Sequence, residues 1–178
     1  MTDPAAAILE EDLVGQLIPN LVFASTAGSA VQLANASLGD FVLFIYPRIA
    51  RPEDPVAAEW LAIPGARGCT AESCEFRDLA DDYRDLGLSI YGLSTQATAD
   101  QARACERLHL PYPLLSDPGL ALQRVLGLPT FTFEGHQLYK RSTLVVRQAT
   151  IAVAQLEISD ASSHPSELLA QLQRCTGR

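Results

Sequence analysis

The strongest constraint on the fold is a run of six apolar residues at positions 41–46, FVLFIY, with an aromatic residue at each end. An uninterrupted apolar strand is typical of a sheet that is covered on both faces, so this strand is predicted to be central. A membrane helix needs about twenty apolar residues, which excludes this run as a span. The chain has 178 residues, 48% of them hydrophobic, which suits one domain with an ordinary core.

Strand and helix patterns alternate along the rest of the chain. Short strands are predicted at 21–25, 31–33, 88–93, 143–147 and 151–156, and helices at 70–86, 98–108, 118–126 and 166–174. This order predicts an α/β fold with a central mixed β-sheet flanked by helices. Four prolines from Pro47 to Pro64 predict a long loop, with one helical turn at about 56–61.

Charge and cysteine content narrow the range of possible partners and cellular locations. Thirteen basic against twenty-one acidic residues give a net charge of −8, which repels phosphate backbones and anionic lipid. We therefore expect no nucleic-acid partner and no membrane partner. Four cysteines are too few for a disulfide-stapled secreted domain. The acidic N-terminal segment lacks the basic start and long apolar run of a signal peptide, so a cytoplasmic location with reduced thiols is expected.

A close pair of cysteines is the most informative feature. The segment 68–78, GCTAESCEFRD, places Cys69 at the entrance of a predicted helix and Cys74 five residues along it. Unpaired amides and the helix dipole favour a thiolate at the entrance. A hundredfold gain in thiol acidity takes roughly 2.7 kcal/mol, whereas a helix terminus supplies about 0.3 to 1 kcal/mol. A cation is therefore needed as well, and Arg67 is the nearest arginine in sequence.

The spacing of the pair has a mechanical consequence. Five residues of α-helix separate two Cα atoms by about 8 to 9 Å, whereas a disulfide needs less than about 7 Å. A bond between Cys69 and Cys74 would therefore require the helix to unwind locally. The residues alone also allow two unrelated buried cysteines. A metal site is less favoured, because ligands five residues apart on a helix do not converge.

The cysteine segment and its setting resemble the peroxiredoxins of the AhpC/TSA family, and most closely the Q-type (bacterioferritin comigratory protein) branch. Further segments that resemble the family, in the same order, are 18–21 (IPNL), 41–47 (FVLFIYP), 91–94 (YGLS), 113–118 (PLLSDP) and 140–143 (KRST). The resemblance implies one thioredoxin-like domain over 1–178. It also implies that Cys69 is the peroxidatic cysteine, Cys74 the resolving cysteine and Arg141 the cation beside the thiolate.

The activity implied by the resemblance is that of an atypical 2-Cys peroxiredoxin without a cofactor. Such an enzyme reduces hydrogen peroxide and organic hydroperoxides through a sulfenic acid and an intrachain disulfide. Thioredoxin or a similar dithiol would recycle the disulfide, and the protein would be a monomer or a homodimer. Cys105 is an alternative resolving cysteine if it is not a packing residue, and Cys175 is expected to be incidental.

Two departures from the family pattern affect the site. The family's Pro-x-x-x-Thr-x-x-Cys motif has Ala62 and Ala66 in place of its proline and threonine. The step of twenty-two residues from Pro47 to Cys69 is also longer than in the family, which predicts an insertion at about 48–64. Losing one hydrogen bond to a charged group costs about 1.5 to 3 kcal/mol, or roughly ten- to a hundredfold in rate. A redox sensor or binding protein with little peroxidase activity is therefore the alternative function.

Several residues near the motif have simpler interpretations. Pro64, Thr70 and Arg67 are candidates to replace the missing family groups. Glu72 is expected to stabilise the helix start as an acidic residue. Trp60 could belong to a lid, a dimer contact or a filler loop. The three histidines, His109, His136 and His164, lie beside predicted turns and are expected to be solvated.

Overall fold

The computed structural model describes residues 7–176; both ends of the predicted 1–178 domain, residues 1–6 and 177–178, lie outside the described part. The helices are α1 (Glu10–Leu13), α2 (Ala58–Ala62), α3 (Cys69–Asp78), α4 (Ala80–Asp85), α5 (Thr98–Leu108), α6 (Ala121–Leu126) and α7 (His164–Thr176), with a 3₁₀ turn at Ala36–Leu38. The strands are β1 (Val22–Ser25), β2 (Val31–Gln32), β3 (Asp40–Ile45), β4 (Leu88–Ser94), β5 (Leu114–Ser116), β6 (Thr130–Phe133), β7 (His136–Tyr139), β8 (Ser142–Arg147) and β9 (Thr150–Gln155).

The main sheet is mixed, with the strand order β2-β1-β5-β4-β3-β8-β9. Strand β3 runs parallel to β4 and antiparallel to β8. Its side chains alternate between two cores: Phe41, Leu43 and Ile45 enter one, and Val42 and Phe44 enter the other. Each of these five side chains is at most 1% exposed. The predicted central strand and the mixed α/β sheet are therefore confirmed.

The structure differs from the sequence-based expectation in its smaller elements. Strands β6 and β7 form a hairpin that the pattern did not reveal, closed by Glu134 and Gly135, which both have positive φ. Strand β5 has only three residues and was not among the predicted strands. The helix expected at 70–86 divides into α3 and α4, because Leu79 leaves helical geometry at φ −98° and ψ 7°.

The segment between β3 and α3 is anchored on the β6–β7 hairpin. Helix α2 provides the helical turn that was expected within this segment. The ring of Trp60 is 8% exposed and meets that of Phe133 edge to face, with the centroids 4.9 Å apart. The Arg48 guanidinium lies over the same indole, 4.5 Å from its centroid. These contacts place Trp60 in a small apolar cluster with Phe133, and the roles considered for it remain predictions.

Candidate active site

Cys69 is the first residue of α3, and Gly68 before it is the N-cap. Gly68 has φ 91°, a conformation that side chains disfavour. A Cβ at this position would lie 2.7 Å from the Cβ of Ala161, so only glycine fits without displacement. The turn that delivers Cys69 to the helix entrance therefore depends on this glycine.

Strand pairing brings Arg141 to the same place. Ser142 of β8 is paired with Ile45 at the end of β3, so Arg141 lies where the chain leaves the central strand. Its guanidinium donates from Nη2 to Cys69 Sγ at 3.1 Å and to the Arg67 carbonyl at 2.8 Å. The side chain is fully buried. The structure therefore brings together two of the three residues that the sequence selected, Cys69 and Arg141.

Glu72 completes this buried arrangement. Its carboxylate accepts a hydrogen bond from Arg141 Nη1, and neither side chain of the ion pair is exposed. Besides its expected place in the first turn of the helix, Glu72 therefore has a second contact, within the site itself. Glu72 lies in the first turn of α3, and its buried carboxylate holds the Arg141 guanidinium in place.

The electrostatics at Cys69 reflect this burial. Burial raises the pKa of the Cys69 thiol, Arg141 lowers it, and the negative charge of Glu72 raises it again. Burial outweighs the cation in this closed arrangement, so the pKa of the thiol is above its ordinary value, and the predicted acidic sulfur stays a prediction. The Arg141 pKa is raised: burial lowers it, but Cys69 and Glu72 together raise it more. Arg141 is thus a permanent cation beside the sulfur.

Cys74 is not brought to Cys69. It lies half-buried on α3 against the core that contains Phe76, and the helix is continuous between the two cysteines. The first turn is closed, since the Glu72 N–H donates to the Gly68 carbonyl at 2.8 Å. Helical geometry therefore keeps the two Cα atoms about 8 to 9 Å apart. All four cysteines are free thiols.

Cys105 and Cys175 occupy different environments. Cys105 lies half-buried on α5, with its sulfur 3.5 Å from the Thr26 hydroxyl, and packs against the same core as Cys74. Cys175 is exposed near the end of α7. The contacts of Cys105 are those of a packing residue.

The two residues that replace the family proline and threonine are both apolar, and they differ in burial: Ala62 is exposed and Ala66 is buried. Ala66 is 1% exposed and packs with Trp60 and Phe133. Its carbonyl accepts a weak hydrogen bond from the Cys69 thiol at 3.8 Å. The side chain of Arg67 is exposed, and its contribution to the site is its carbonyl. A hydrogen bond from the Arg48 backbone to Cys69 also lowers the pKa of the thiol. No pattern in the sequence predicts this hydrogen bond.

A cleft of about 420 Å³ opens beside Cys69. One wall comes from the segment between β3 and α3, including Arg48, Val56 and Trp60, and the other from the start of α3, including Thr70. In residues 7–176, no group of three or more His, Cys, Asp or Glu side chains could hold a metal ion.

His164 was missed by the sequence reasoning. The expectation that it is solvated is wrong: it is 4% exposed, and its Nδ1 lies 3.4 Å from Glu72 Oε1. Helix α7 begins at His164 and packs back on α3, which places the imidazole edge-on to Phe76. The other two histidines, His109 and His136, are exposed as expected. No local pattern distinguishes His164, since only long-range packing buries it.

Comparison with known proteins adds independent information. A model of the Redoxin family matches residues 13–172. A putative peroxiredoxin of Mycobacterium tuberculosis is 31% identical over 137 residues, which are 76% of this chain and 79% of the relative. Peroxiredoxin Q of Triticum aestivum is 28% identical over 128 residues, 70% of this chain. The chain spans about half the length of this plant relative, since the match covers 52% of it.

Solved structures agree with these matches. The crystal structure of peroxidoxin BcpB from Mycobacterium tuberculosis matches with a TM-score of 0.72 at 27% identity, covering 90% of this chain and 96% of that chain. Peroxiredoxin Q of Xanthomonas campestris matches with a TM-score of 0.72 at 22% identity, covering 92% and 98%. These neighbours have the thioredoxin-like fold, so the predicted fold class is confirmed. No helix within residues 7–176 is long and apolar enough to cross a membrane.

Proposed function

Because this chain belongs to the redoxin family, in its Q-type peroxiredoxin branch, we propose that it is a thiol-dependent peroxidase acting through Cys69. Its substrates are hydrogen peroxide and organic hydroperoxides. The observation that carries the proposal is the contact of 3.1 Å between Arg141 Nη2 and Cys69 Sγ at a helix entrance that borders a cleft. A nucleophilic sulfur, a fixed cation and an access route are the parts that peroxide reduction needs.

The first step is attack of the Cys69 thiolate on the terminal oxygen of the hydroperoxide. The S–O bond forms as the O–O bond breaks, which oxidises the sulfur to a sulfenic acid. The leaving alkoxide or hydroxide takes up a proton and departs as an alcohol or water. Arg141 stabilises both the thiolate and the charge that develops on the leaving oxygen.

The second step is condensation of the sulfenic acid with a thiol, which releases water and forms a disulfide. Cys74 is our first candidate for this thiol. For the sulfurs to meet, α3 must unwind from its N-terminal turn, which breaks the hydrogen bond from Glu72 N–H to the Gly68 carbonyl. Cys105 is the second candidate, and Cys175 at the exposed chain end serves as a control.

The disulfide is then reduced by thioredoxin or a similar external dithiol. The active unit is a single thioredoxin-like domain over 1–178 in which about 48–64 is an insertion, as a monomer or a homodimer. Support for the insertion comes from its packing, because Trp60 anchors it on the β6–β7 hairpin as an addition to the core. A cytoplasmic location remains a prediction, consistent with four thiols that need a reducing compartment.

A second candidate function is a redox sensor or binding protein with slow peroxide chemistry. Two observations favour it: burial raises the Cys69 pKa, and Ala66 stands where the family has a threonine hydroxyl. A raised pKa reduces the thiolate fraction at neutral pH. Such a protein would still form the oxidised pair, but slowly.

Stopped-flow oxidation by hydrogen peroxide, followed by turnover with thioredoxin, tests the proposal. We expect rapid oxidation that is abolished in Cys69→Ser and retained in Cys175→Ser. A rate constant no greater than that of a free thiol would overturn the peroxidase and favour the sensor. Mass-spectrometric mapping of the disulfide in Cys74→Ser and in Cys105→Ser identifies the resolving cysteine, since only the true partner's loss leaves a persistent sulfenic acid.

A further inference from the structure

Two buried polar atoms face each other behind the reacting sulfur. Glu72 Oε1 and His164 Nδ1 lie 3.4 Å apart, and neither has a hydrogen-bond partner among the described residues. The other carboxylate oxygen of Glu72 is bound to Arg141. Buried polar atoms left unpaired are costly, so a shared proton is the simplest reason for this pair to persist.

The hydrogen bonds on the far side of the imidazole determine where its protons are. Nε2 of His164 lies 2.9 Å from Gln155 Oε1. The orientation of the Gln155 amide is set by its Nε2, which donates to Gln171 Oε1 at 3.1 Å. Gln155 therefore presents an acceptor to His164, and Nε2 of the imidazole carries a proton.

This leaves Nδ1 with two options. In a neutral imidazole with its proton on Nε2, the lone pair of Nδ1 would face an ionised carboxylate oxygen, which is repulsive. In a protonated imidazole Nδ1 would donate to Glu72 and form a buried ion pair. The second arrangement satisfies both atoms that are otherwise unpaired.

We propose that His164 is a positioning residue for the peroxidase reaction, holding a proton on Nδ1 that balances the charge of Glu72 while Cys69 is a thiolate. The buried cluster is then neutral: Cys69 and Glu72 are negative, and Arg141 and His164 are positive. Without the imidazolium, the same cluster with a thiolate carries one uncompensated buried negative charge. His164 acts through Glu72 and does not touch the peroxide. This role rests on the proposed function.

The other titratable groups near Glu72 cannot replace His164 as a cation. On the elements packed around His164 they are Glu75 of α3 and Tyr83 of α4, whose hydroxyl donates to the Pro165 carbonyl at 2.6 Å. Strand β9 contributes the uncharged Gln155. On its own segment, Asp160 and Glu167 are exposed. Among these groups, only the His164 imidazole can carry a positive charge beside Glu72.

The test uses full-length protein in which the other three cysteines are serine, so that Cys69 is the only source of thiolate absorbance at 240 nm. We expect His164→Gln to raise the Cys69 pKa and to slow peroxide oxidation at pH 7 about tenfold, because below the pKa the rate follows the thiolate fraction. The rates of variant and parent converge at alkaline pH, where both are ionised. His136→Gln, at an exposed histidine, is the matched control and leaves titration and rate unchanged.

A second measurement does not depend on the variant folding or on peroxidase activity. Nitrogen-15 NMR of the unmodified reduced protein reports the protonation of both ring nitrogens of His164. We expect a doubly protonated ring at pH 7, because the ion pair with Glu72 holds the Nδ1 proton whether Cys69 is a thiol or a thiolate. A neutral ring with bare Nδ1 from pH 5 to 8, or an unchanged thiolate titration in folded His164→Gln, would overturn the assignment. If the thiolate titration and the NMR results are as expected but peroxide oxidation is slow in the parent and in every variant, the proposed peroxidase function is wrong. The role of His164 in the charge balance is then still supported.

Discussion

Arg141 Nη2 donates to Cys69 Sγ at 3.1 Å, although the two residues are 72 positions apart in sequence. The contact forms because β8 pairs antiparallel with the central strand β3, so Arg141, just before the start of β8, lies next to the entrance of α3. The guanidinium also holds the buried carboxylate of Glu72. The cation that the cysteine requires is therefore part of the core, and stability and chemistry at this site are coupled.

Replacement of Arg141 tests this coupling. Arg141→Ala leaves Glu72 buried without its partner, so we expect a loss of about 3 to 5 kcal/mol in the free energy of unfolding together with loss of peroxide reduction. The double variant Arg141→Met with Glu72→Gln removes both charges and should recover most of the stability but none of the activity. Urea unfolding and stopped-flow oxidation measure the two effects. A double variant as active as the parent would show that the guanidinium is dispensable.

Neutralising the carboxylate alone should change the pH dependence of the sulfur. Glu72 raises the Cys69 pKa, so Glu72→Gln is expected to lower it. A lower pKa means more thiolate at pH 7, and iodoacetamide alkylation at that pH should accelerate by up to about tenfold for each unit that the pKa falls. Glu75→Gln on the same helix is the control. Slower alkylation in Glu72→Gln would mean that the carboxylate favours the thiolate, contrary to its charge.

The glycine before the cysteine should tolerate no side chain. Gly68→Ala places a Cβ 2.7 Å from the Cβ of Ala161 in a backbone conformation with φ 91°. We expect a loss of about 1 to 3 kcal/mol in stability from the strain and the contact together. Adding Ala161→Gly removes the contact but not the strain, so thermal unfolding should show partial recovery. Full recovery would assign the whole cost to the contact.

Oxidation should unwind the start of α3 if Cys74 is the resolving cysteine. The far-UV circular dichroism signal of the helix is expected to fall after one equivalent of peroxide and to return with dithiothreitol. Trp60, the single tryptophan, lines the cleft beside Cys69, so its fluorescence should change with the same rate. Cys69→Ser should show neither change. A confirmed 69–74 disulfide with an unchanged helical signal would contradict the unwinding.

Local sequence patterns were sufficient to predict the central strand and helix α5. The apolar run at 41–46 identified the central strand, because a strand with no polar face must be covered on both sides. The helix predicted at 98–108 has the observed bounds of α5, since its apolar spacing and ends are encoded in adjacent residues. The β6–β7 hairpin escaped detection, because its partly exposed strands carry only a weak alternation.

The sequence by itself determined the α/β class, the central strand and the placement of Cys69 at a helix entrance, because these follow from interactions between neighbouring residues. Only the tertiary structure decided the charge environment of that cysteine. Burial of Glu72 and His164 and their contact with each other and with Arg141 depend on how α7 and β8 pack against α3. Desolvation and charge pairing are set by distances across the fold, and residue spacing along the chain does not encode them.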